Sequence, residues 1–308
     1  MDYRLTEDQA ALVSALQSIL KDYSSLPQSA RLAYHYYDPD LQRVLTEGGF
    51  LDAAREMGPL EAALVVTEIA RIPVSVEAGV SALVAPLLLP EERLEGPLAI
   101  VPEQAIGKAQ RNLSIAKTVL VDGADAVTIL PVDSDLVEPV TTIYAYPFGR
   151  FKKMPSLKGR RLDKSAVAIL RQWYRVALAA EIAGAAQSAV AFTVDYVKER
   201  HVFGRAIGSF QAVQHRLAQC HQIARGIYYM SLKAAWSGEA LDADMAVCYA
   251  QQNIQKLIFD LHQFNGAMGV TNEHMLHFWT YRLRALQAEA GGATGSALDI
   301  ADRLWGAA

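Results

Sequence analysis

The chain has 308 residues, 52% of them hydrophobic, with a formal net charge of −4 and a pI near 6.0. That length and apolar share predict one compact unit of two or three lobes, and the slight acidity argues against a nucleic-acid partner. Cys220 and Cys248 lie in helical patterns without metal-ligand spacing, which fits buried thiols in a reducing cytoplasm; the start of the chain lacks a signal-peptide layout, and the apolar run 176–194 is interrupted by Glu181, Gln187 and Ser188, so neither export nor membrane insertion is expected.

In chain order, Thr6-Glu7-Asp8-Gln9 fits a capping box, and the helix it opens should turn Leu12, Ala15, Leu16 and Ile19 inward. Residues 26–39 have irregular spacing, two prolines and the cluster Tyr34-His35-Tyr36-Tyr37; they read as a loop or short helix in which the aromatics either pack or wall a ligand. Gly48 and Gly49 break a helix, and Pro59 suits the first position of another with the stripe Leu60, Leu64 and Ile69. Residues 74–89 read as helix, closed by Pro90-Glu91-Glu92.

From Leu98 the period changes. The β-branched runs Leu98-Ala99-Ile100-Val101, Thr118-Val119-Leu120-Val121, Ala126-Val127-Thr128-Ile129-Leu130 and Val140-Thr141-Thr142-Ile143-Tyr144 predict a small antiparallel sheet over residues 98–154. After Pro155 the pattern is helical again: 166–200 is too long and too evenly apolar for a surface helix, and 211–236, 243–263 and 273–286 supply three partners for a four-helix bundle. The expected fold is therefore mainly α with a small β-domain, divided as an N-terminal helical lobe (1–97), a reduced β-domain (98–155) and a C-terminal bundle (156–308).

One stretch stands apart from this packing logic. In Glu199-Arg200-His201-Val202-Phe203-Gly204-Arg205 through Ile207-Gly208-Ser209-Phe210-Gln211 to Gln214-His215, an arginine on the last turn of one helix and a glutamine on the first turn of the next flank a tight turn. A guanidinium, an amide and free helix-start N–H groups suit a phosphate-bearing ligand. The alternative is a plain helical hairpin, with Arg200 capping its helix and Gly204 stopping it.

Arg-x-x-Phe-Gly followed by Ile-Gly-x-Phe-Gln-x-x-Gln-His resembles a signature of the acyl-CoA dehydrogenases, flavoenzymes that desaturate acyl thioesters at the α and β carbons. A second block, His262-Gln263-Phe264-Asn265-Gly266-Ala267-Met268-Gly269-Val270-Thr271-Asn272-Glu273-His274, is similar to that family's Gln-x-His-Gly-Gly-x-Gly-Phe-Thr-x-Glu loop, with Asn265 in place of His and Ala267 in place of the second Gly. The stretch 119–132 also looks like the family's Val-x-Gly-Ala-Asp strand pair, but the Thr-Glu-x-x-x-Gly-Ser-Asp segment that opens its flavin-carrying β-domain is absent.

The resemblance implies where chemistry should lie. Proton abstraction needs a carboxylate base opposite an oxidised flavin. One family position for it aligns with Ala290, with Glu289 one residue away and so turned by about 100° if helical. The other aligns with Tyr174, whose phenol is a poor base near neutrality, with Glu181 about 10 Å further along the same helix.

Both positions lack a carboxylate, so no catalytic residue is assigned, whereas both nucleotide-binding blocks persist. Carried over by motif position, Arg200 would face the pyrophosphate of FAD, Phe203 would lie near the adenine or the turn, Gln211 would meet the adenosine or phosphate end, and Gln263, Gly266 and Gly269 would let backbone approach the diphosphate. This resembles the short subunit of α2β2 acyl-CoA dehydrogenases associated with bacterial steroid side-chain breakdown. It implies FAD shared with a longer catalytic partner subunit, an acyl-CoA substrate and electron-transfer flavoprotein as acceptor, in the cytoplasm. The form Glu273-His274-x-Leu276-His277-x-x-Thr280-x-Arg282-Leu283 points to the same branch. The alternatives are a self-sufficient homotetramer using Glu289 or Glu181 and a non-flavin structural or regulatory subunit.

Overall fold

The computed structural model describes residues 3–27, 30 and 32–306. The N-terminal lobe is helical: α1 (Glu7–Leu20), α2 (Pro39–Glu47), α3 (Ala53–Glu56), α4 (Pro59–Ala70) and α5 (Ala85–Leu88). Thr6 caps α1 through the expected reciprocal box, its Oγ1 accepting from Gln9 N at 3.2 Å while its own N–H donates to Gln9 Oε1 at 3.0 Å. Leu12, Leu16, Ile19 and Leu20 face inward, but Ala15, at the edge of the stripe, is exposed. Pro59 holds the first position of α4 as expected. Among its described residues the segment 26–38 is loop apart from Ala30, in a 3-10 turn, and Tyr37, bridged to Ser75, and residues 28, 29 and 31 of that stretch lie outside them. Its Tyr34 packs against Tyr281, ring centroids 6.2 Å apart, so this aromatic serves packing.

The helix expected over 74–89 starts later. Glu77 is buried, and its carboxylate accepts from the N–H groups of Val80 at 2.8 Å and Leu98 at 3.2 Å, so the chain stays extended until this side chain can cap a π-helical stretch (Val80–Val84) that runs into α5.

The β-domain holds β1 (Leu98–Pro102), β2 (Gln110–Arg111), β3 (Thr118–Asp122), β4 (Val127–Pro131), β5 (Val137–Val140), β6 (Phe148–Phe151) and β7 (Arg160–Leu162). Instead of one antiparallel sheet there are two, β1-β3-β4-β7 and β2-β6-β5, and β1 pairs with β3 in parallel, Leu98 opposite Thr118. The cause is the connection after β1: it leaves to give β2 to the other sheet and returns to run beside β1 in the same direction. The last strand lies past Met154, and Thr141–Tyr144 is not strand. Ala99, Val101, Val119, Leu130 and Phe151 meet in a small core of their own, while Ile100, Leu120 and Ile129 point the other way into the main core. With both faces of the larger sheet covered, its strands read as continuous apolar runs.

The C-terminal half is α6 (Lys164–Glu199), a two-stranded hairpin β8 (His201–Val202) and β9 (Arg205–Ala206), then α7 (Gln211–Ser237), α8 (Ala240–Asn265), α9 (Leu276–Leu286) and α10 (Gly292–Trp305). Asp163 starts α6 by accepting from Ser165 N at 3.0 Å. By length and composition α6 could cross a membrane, yet 78% of its apolar window is buried against its neighbours. The bundle holds one helix more than expected: α10 is held on α8 by Arg303, which donates to the buried Asp244 at 2.6 Å.

Candidate functional site

Both positions at which the resemblance places a base lie beside one buried polar cluster. Arg111, on β2, enters between the β-domain and the bundle; its Nη1 donates to Glu181 Oε2 on α6 at 2.8 Å and its Nε to Glu289 Oε1 at 3.3 Å. Tyr174, two turns before Glu181 on the same face of α6, donates its hydroxyl to Glu289 Oε2 at 2.7 Å, and Tyr146 donates to Glu181 Oε2 at 2.9 Å. The Arg111 guanidinium lies 4.8 Å from the centre of the Tyr146 ring. Behind it Arg282 donates to Ile72 O at 2.8 Å and to Pro73 O, tying α9 to the N-terminal lobe. A Cβ on Gly79 would fall 2.2 Å from Glu181 Oε1, so with glycine at 79 the N-terminal lobe closes over this carboxylate without displacing it.

The electrostatics follow from burial. Desolvation opposes the charge on Arg111, but Glu181, Tyr174 and Glu289 around it outweigh that and hold its pKa well above the ordinary arginine value. Burial first, and then the neighbouring carboxylate, pushes up the hydroxyls of Tyr174, beside Glu289, and Tyr146, beside Glu181. Tyr174 therefore keeps its proton and acts as a donor; it cannot take a proton from a substrate. Glu181 sits inside the cluster with Arg111 and Tyr146 as partners. Glu289, its side chain 24% exposed, faces a cleft of about 690 Å³ with Tyr144 and Phe148 on one wall and Ala285, Ala288 and Ala290 on the other. Nothing in the sequence marked Arg111 or Tyr146, and Arg282 stood out only as part of a family-like form: the contacts bridge from 35 to 210 positions, which periodicity cannot reveal.

A second site lies at the other end of α6. A groove of about 450 Å³ brings together Arg200, Gln263 and Gly266, with Tyr196, Arg216 and Met268 along its sides. Arg200 follows the last turn of α6 in an extended conformation, and its guanidinium has no ion-pair partner among the described residues. Gly266 ends α8 at φ 58°, ψ −144°, a conformation open essentially to glycine, and a Cβ there would point into empty space; the backbone at this point is accessible.

The other expected residues lie elsewhere. Phe203 is the first residue of the β8–β9 turn at φ 56° and is 92% exposed; Gln211 is the exposed first residue of α7, outside the groove wall. Gly269 is buried beneath the loop, where a Cβ would fall 2.8 Å from that of Asn265, so it serves loop packing. Asn265 organises the loop. Buried, it donates to Thr193 Oγ1 at 2.9 Å and Leu261 O at 2.8 Å, and its Oδ1 lies 2.6 Å from His274 Nε2. Burial above all holds the pKa values of His262 and His274 below the ordinary histidine value, leaving the rings around this loop neutral.

The two sites fit a flavin nucleotide unequally. The groove presents an unpaired guanidinium and open backbone to a diphosphate, whereas the place between the two base positions is taken by Arg111 and its partners.

Known proteins resemble this chain in sequence and in fold. Residues 169–304 match the family model described as acyl-CoA dehydrogenase, C-terminal domain. The acyl-CoA dehydrogenase IpdE2 of Mycobacterium tuberculosis is 33% identical over 107 residues, 35% of this chain and 34% of that one. Its namesake from Mycolicibacterium smegmatis is 26% identical over 297 residues, spanning 90% of this chain and 93% of the relative. The fold matches a chain of the ChsE4-ChsE5 complex from Mycobacterium tuberculosis with a TM-score of 0.78 at 19% identity, each chain covering 100% of the other. Residues 169–304 thus carry an acyl-CoA dehydrogenase C-terminal domain, and over its whole length the chain resembles that family in sequence and fold.

Proposed function

We propose that this chain is the non-catalytic subunit of an FAD-dependent acyl-CoA dehydrogenase, lending a nucleotide-gripping wall to a longer partner that holds the flavin ring and the base. The observation that carries this reading is the contrast between its two sites: the carboxylates near both base positions are engaged by Arg111 and by tyrosine hydroxyls, while Arg200 is left unpaired in an open groove. FAD, when bound, supplies hydride acceptance. In this chain Arg200 would meet its diphosphate, the Gln263 amide and the Gly266 backbone would complete the phosphate contacts, and Phe203 and Gln211 would lie at the adenosine end. A two-chain assembly among its structural neighbours supports a heteromer, read here as α2β2. The substrate would be a bulky acyl-CoA such as a steroid side-chain thioester, with electrons passing to electron-transfer flavoprotein in the cytoplasm.

Co-expression tests the reading. The chain alone should purify with little flavin, and the complex with its longer partner should be yellow and active. Arg200→Ala should remove a charge-assisted phosphate bond worth about 1.5–3 kcal/mol, roughly 10- to 150-fold in FAD retention by the complex. A yellow, active homotetramer of this chain would overturn the proposal. The exposure of Glu289 to the cleft favours one second reading, in which that carboxylate is the base of a self-sufficient enzyme. Under the proposal Glu289→Gln leaves the turnover of the assembled complex intact; its loss would favour the second reading.

A further inference from the structure

Away from both sites, the β-domain carries a charge pattern opposite to that of the chain as a whole. Between residues 150 and 164 stand Arg150, Lys152, Lys153, Lys158, Arg160, Arg161 and Lys164 against a single carboxylate, Asp163, in a chain of net charge −4. Three of these cations are paired: Arg150 with Glu138, Arg160 with Glu92, and Lys164 with Asp125 at 3.5 Å. Lys152, Lys153, Lys158 and Arg161 have no ion-pair partner among the described residues. Met154 and Leu157 are exposed amid these cations, Met154 at 73%. Pro155 lacks an N–H, and the strap between β6 and β7 forms no strand.

Beneath this strap lies a cavity of about 640 Å³, within the range of small-molecule sites. Leu130 and Phe151 form its floor, Leu136 and Met154 its outer wall, and Lys152 and Lys153 stand at its mouth beside one carboxylate, Asp135. The floor belongs to the small core between the two sheets. The 690 Å³ cleft is instead lined by Ile100, Tyr144 and Phe148, which pack against the main core, so the two cavities open on different cores. Leu136 and Met154 stand exposed around an apolar interior with unpaired ammonium groups at the rim, a combination that suits a ligand with an aliphatic body and an anionic head.

We propose that this cavity binds an anionic amphiphile: an alkyl chain enters between Leu136 and Met154, and its carboxylate or phosphate meets Lys152 and Lys153. The ligand can arrive as a free fatty-acid anion or as the acyl chain of an anionic bilayer. The site is independent of the nucleotide groove.

The test uses the full chain, with dodecanoate followed by calorimetry in one arm and co-sedimentation with phosphatidylcholine vesicles containing phosphatidylglycerol in the other. Saturable dodecanoate binding that weakens about tenfold or more in K152E/K153E, and is also weakened by Leu136→Asp, is the expected result and identifies a free anion. Vesicle binding with the same dependence, without dodecanoate binding, supports the site with a bilayer as its source. All three side chains are exposed, so the variants should keep the circular dichroism of the parent. No binding in either arm, or binding that both variants leave unchanged, overturns the proposal. So does failure of both ligands combined with loss of partner-subunit assembly in the variants, which would make the strap a protein contact. Retained FAD in the assembled K152E/K153E complex keeps this outcome separate from that of the nucleotide groove.

Discussion

Arg111 Nη1 and Glu181 Oε2, 2.8 Å apart, join the second strand of the β-domain to the middle of α6 across 70 positions of sequence. Both side chains are nearly inaccessible to solvent, so each charge depends on the other for compensation. Glu289, Tyr146 and Tyr174 complete the shell, and together these groups form a polar junction between the β-domain and the bundle.

Removing one side of that pair should be severe. Arg111→Leu leaves Glu181 buried without its cation and should cost about 3–5 kcal/mol, read from the urea midpoint of the isolated chain. The double variant Arg111→Met/Glu181→Met removes both charges and should recover much of the loss. If Arg111→Leu unfolds at the same denaturant concentration as the parent, the cluster is not structural.

Acid should weaken the fold through its buried neutral histidines, while the Glu77 carboxyl, whose pKa burial raises, acts in the opposite sense. Burial lowers the pKa values of His35, His262 and His274, so these rings stay neutral in the folded chain and bind a proton more readily once unfolded. The unfolded state then binds more protons as pH falls through about 6.5, and stability declines until the folded-state values are passed. The carboxylates held below their usual range, Asp163, Asp242 and Asp260, act only in more acidic solution, where their contribution is lost as pH falls through their folded values. Urea midpoints between pH 7.5 and 5 should therefore drop, and His262→Asn should flatten the slope. A flat profile in the parent chain would contradict this.

Most helices and the two glycine-bearing loops were legible because each is signalled within a few residues: Thr6 with Gln9, Pro59 at a helix start, and Arg200 followed by Phe203-Gly204. What local pattern cannot show is which distant groups meet. Glu181 and Glu289 read as separate candidates on separate helical segments, yet Arg111 touches both. The same limit explains the sheet. Strand runs were visible, but the parallel pairing of β1 with β3 depends on where β2 goes, and two residues, Gln110 and Arg111, carry no strand signal. At Gly269 the motif does not say whether a glycine serves packing or backbone exposure, and the Asn265 side chain beside it shows the packing requirement.

Gly79 offers a sharp steric test. The Cβ of Gly79→Ala would meet the Glu181 carboxylate at 2.2 Å, forcing either the glutamate out of its place between Arg111 and Tyr146 or the N-terminal lobe away from α6. Either adjustment should cost about 1–3 kcal/mol. Combining the variant with Glu181→Ala, which removes the obstructing group, should make the cost of the alanine at 79 much smaller than in the parent background. Equal costs in the two backgrounds would show that the contact with Glu181 is not what requires glycine.

Asn265 links the fold to the groove. Its amide holds Thr193 and Leu261 O on one side and faces His274 on the other, and the next residue is Gly266, whose open backbone helps to form the groove. Asn265→Ala strips partners from the buried Thr193 hydroxyl and from His274, at about 1–3 kcal/mol of stability. The loop 266–270 then loses its anchor while Arg200, on a different element, stays where it is. In the assembled complex the variant should retain less FAD than the parent even though no proposed phosphate-contacting side chain has changed, and Asn265→His, the residue type the resemblance leads one to expect there, should recover part of that retention. Unchanged flavin content in Asn265→Ala, measured by absorbance alongside a lowered urea midpoint, would separate the loop's contribution to stability from any role in holding the nucleotide.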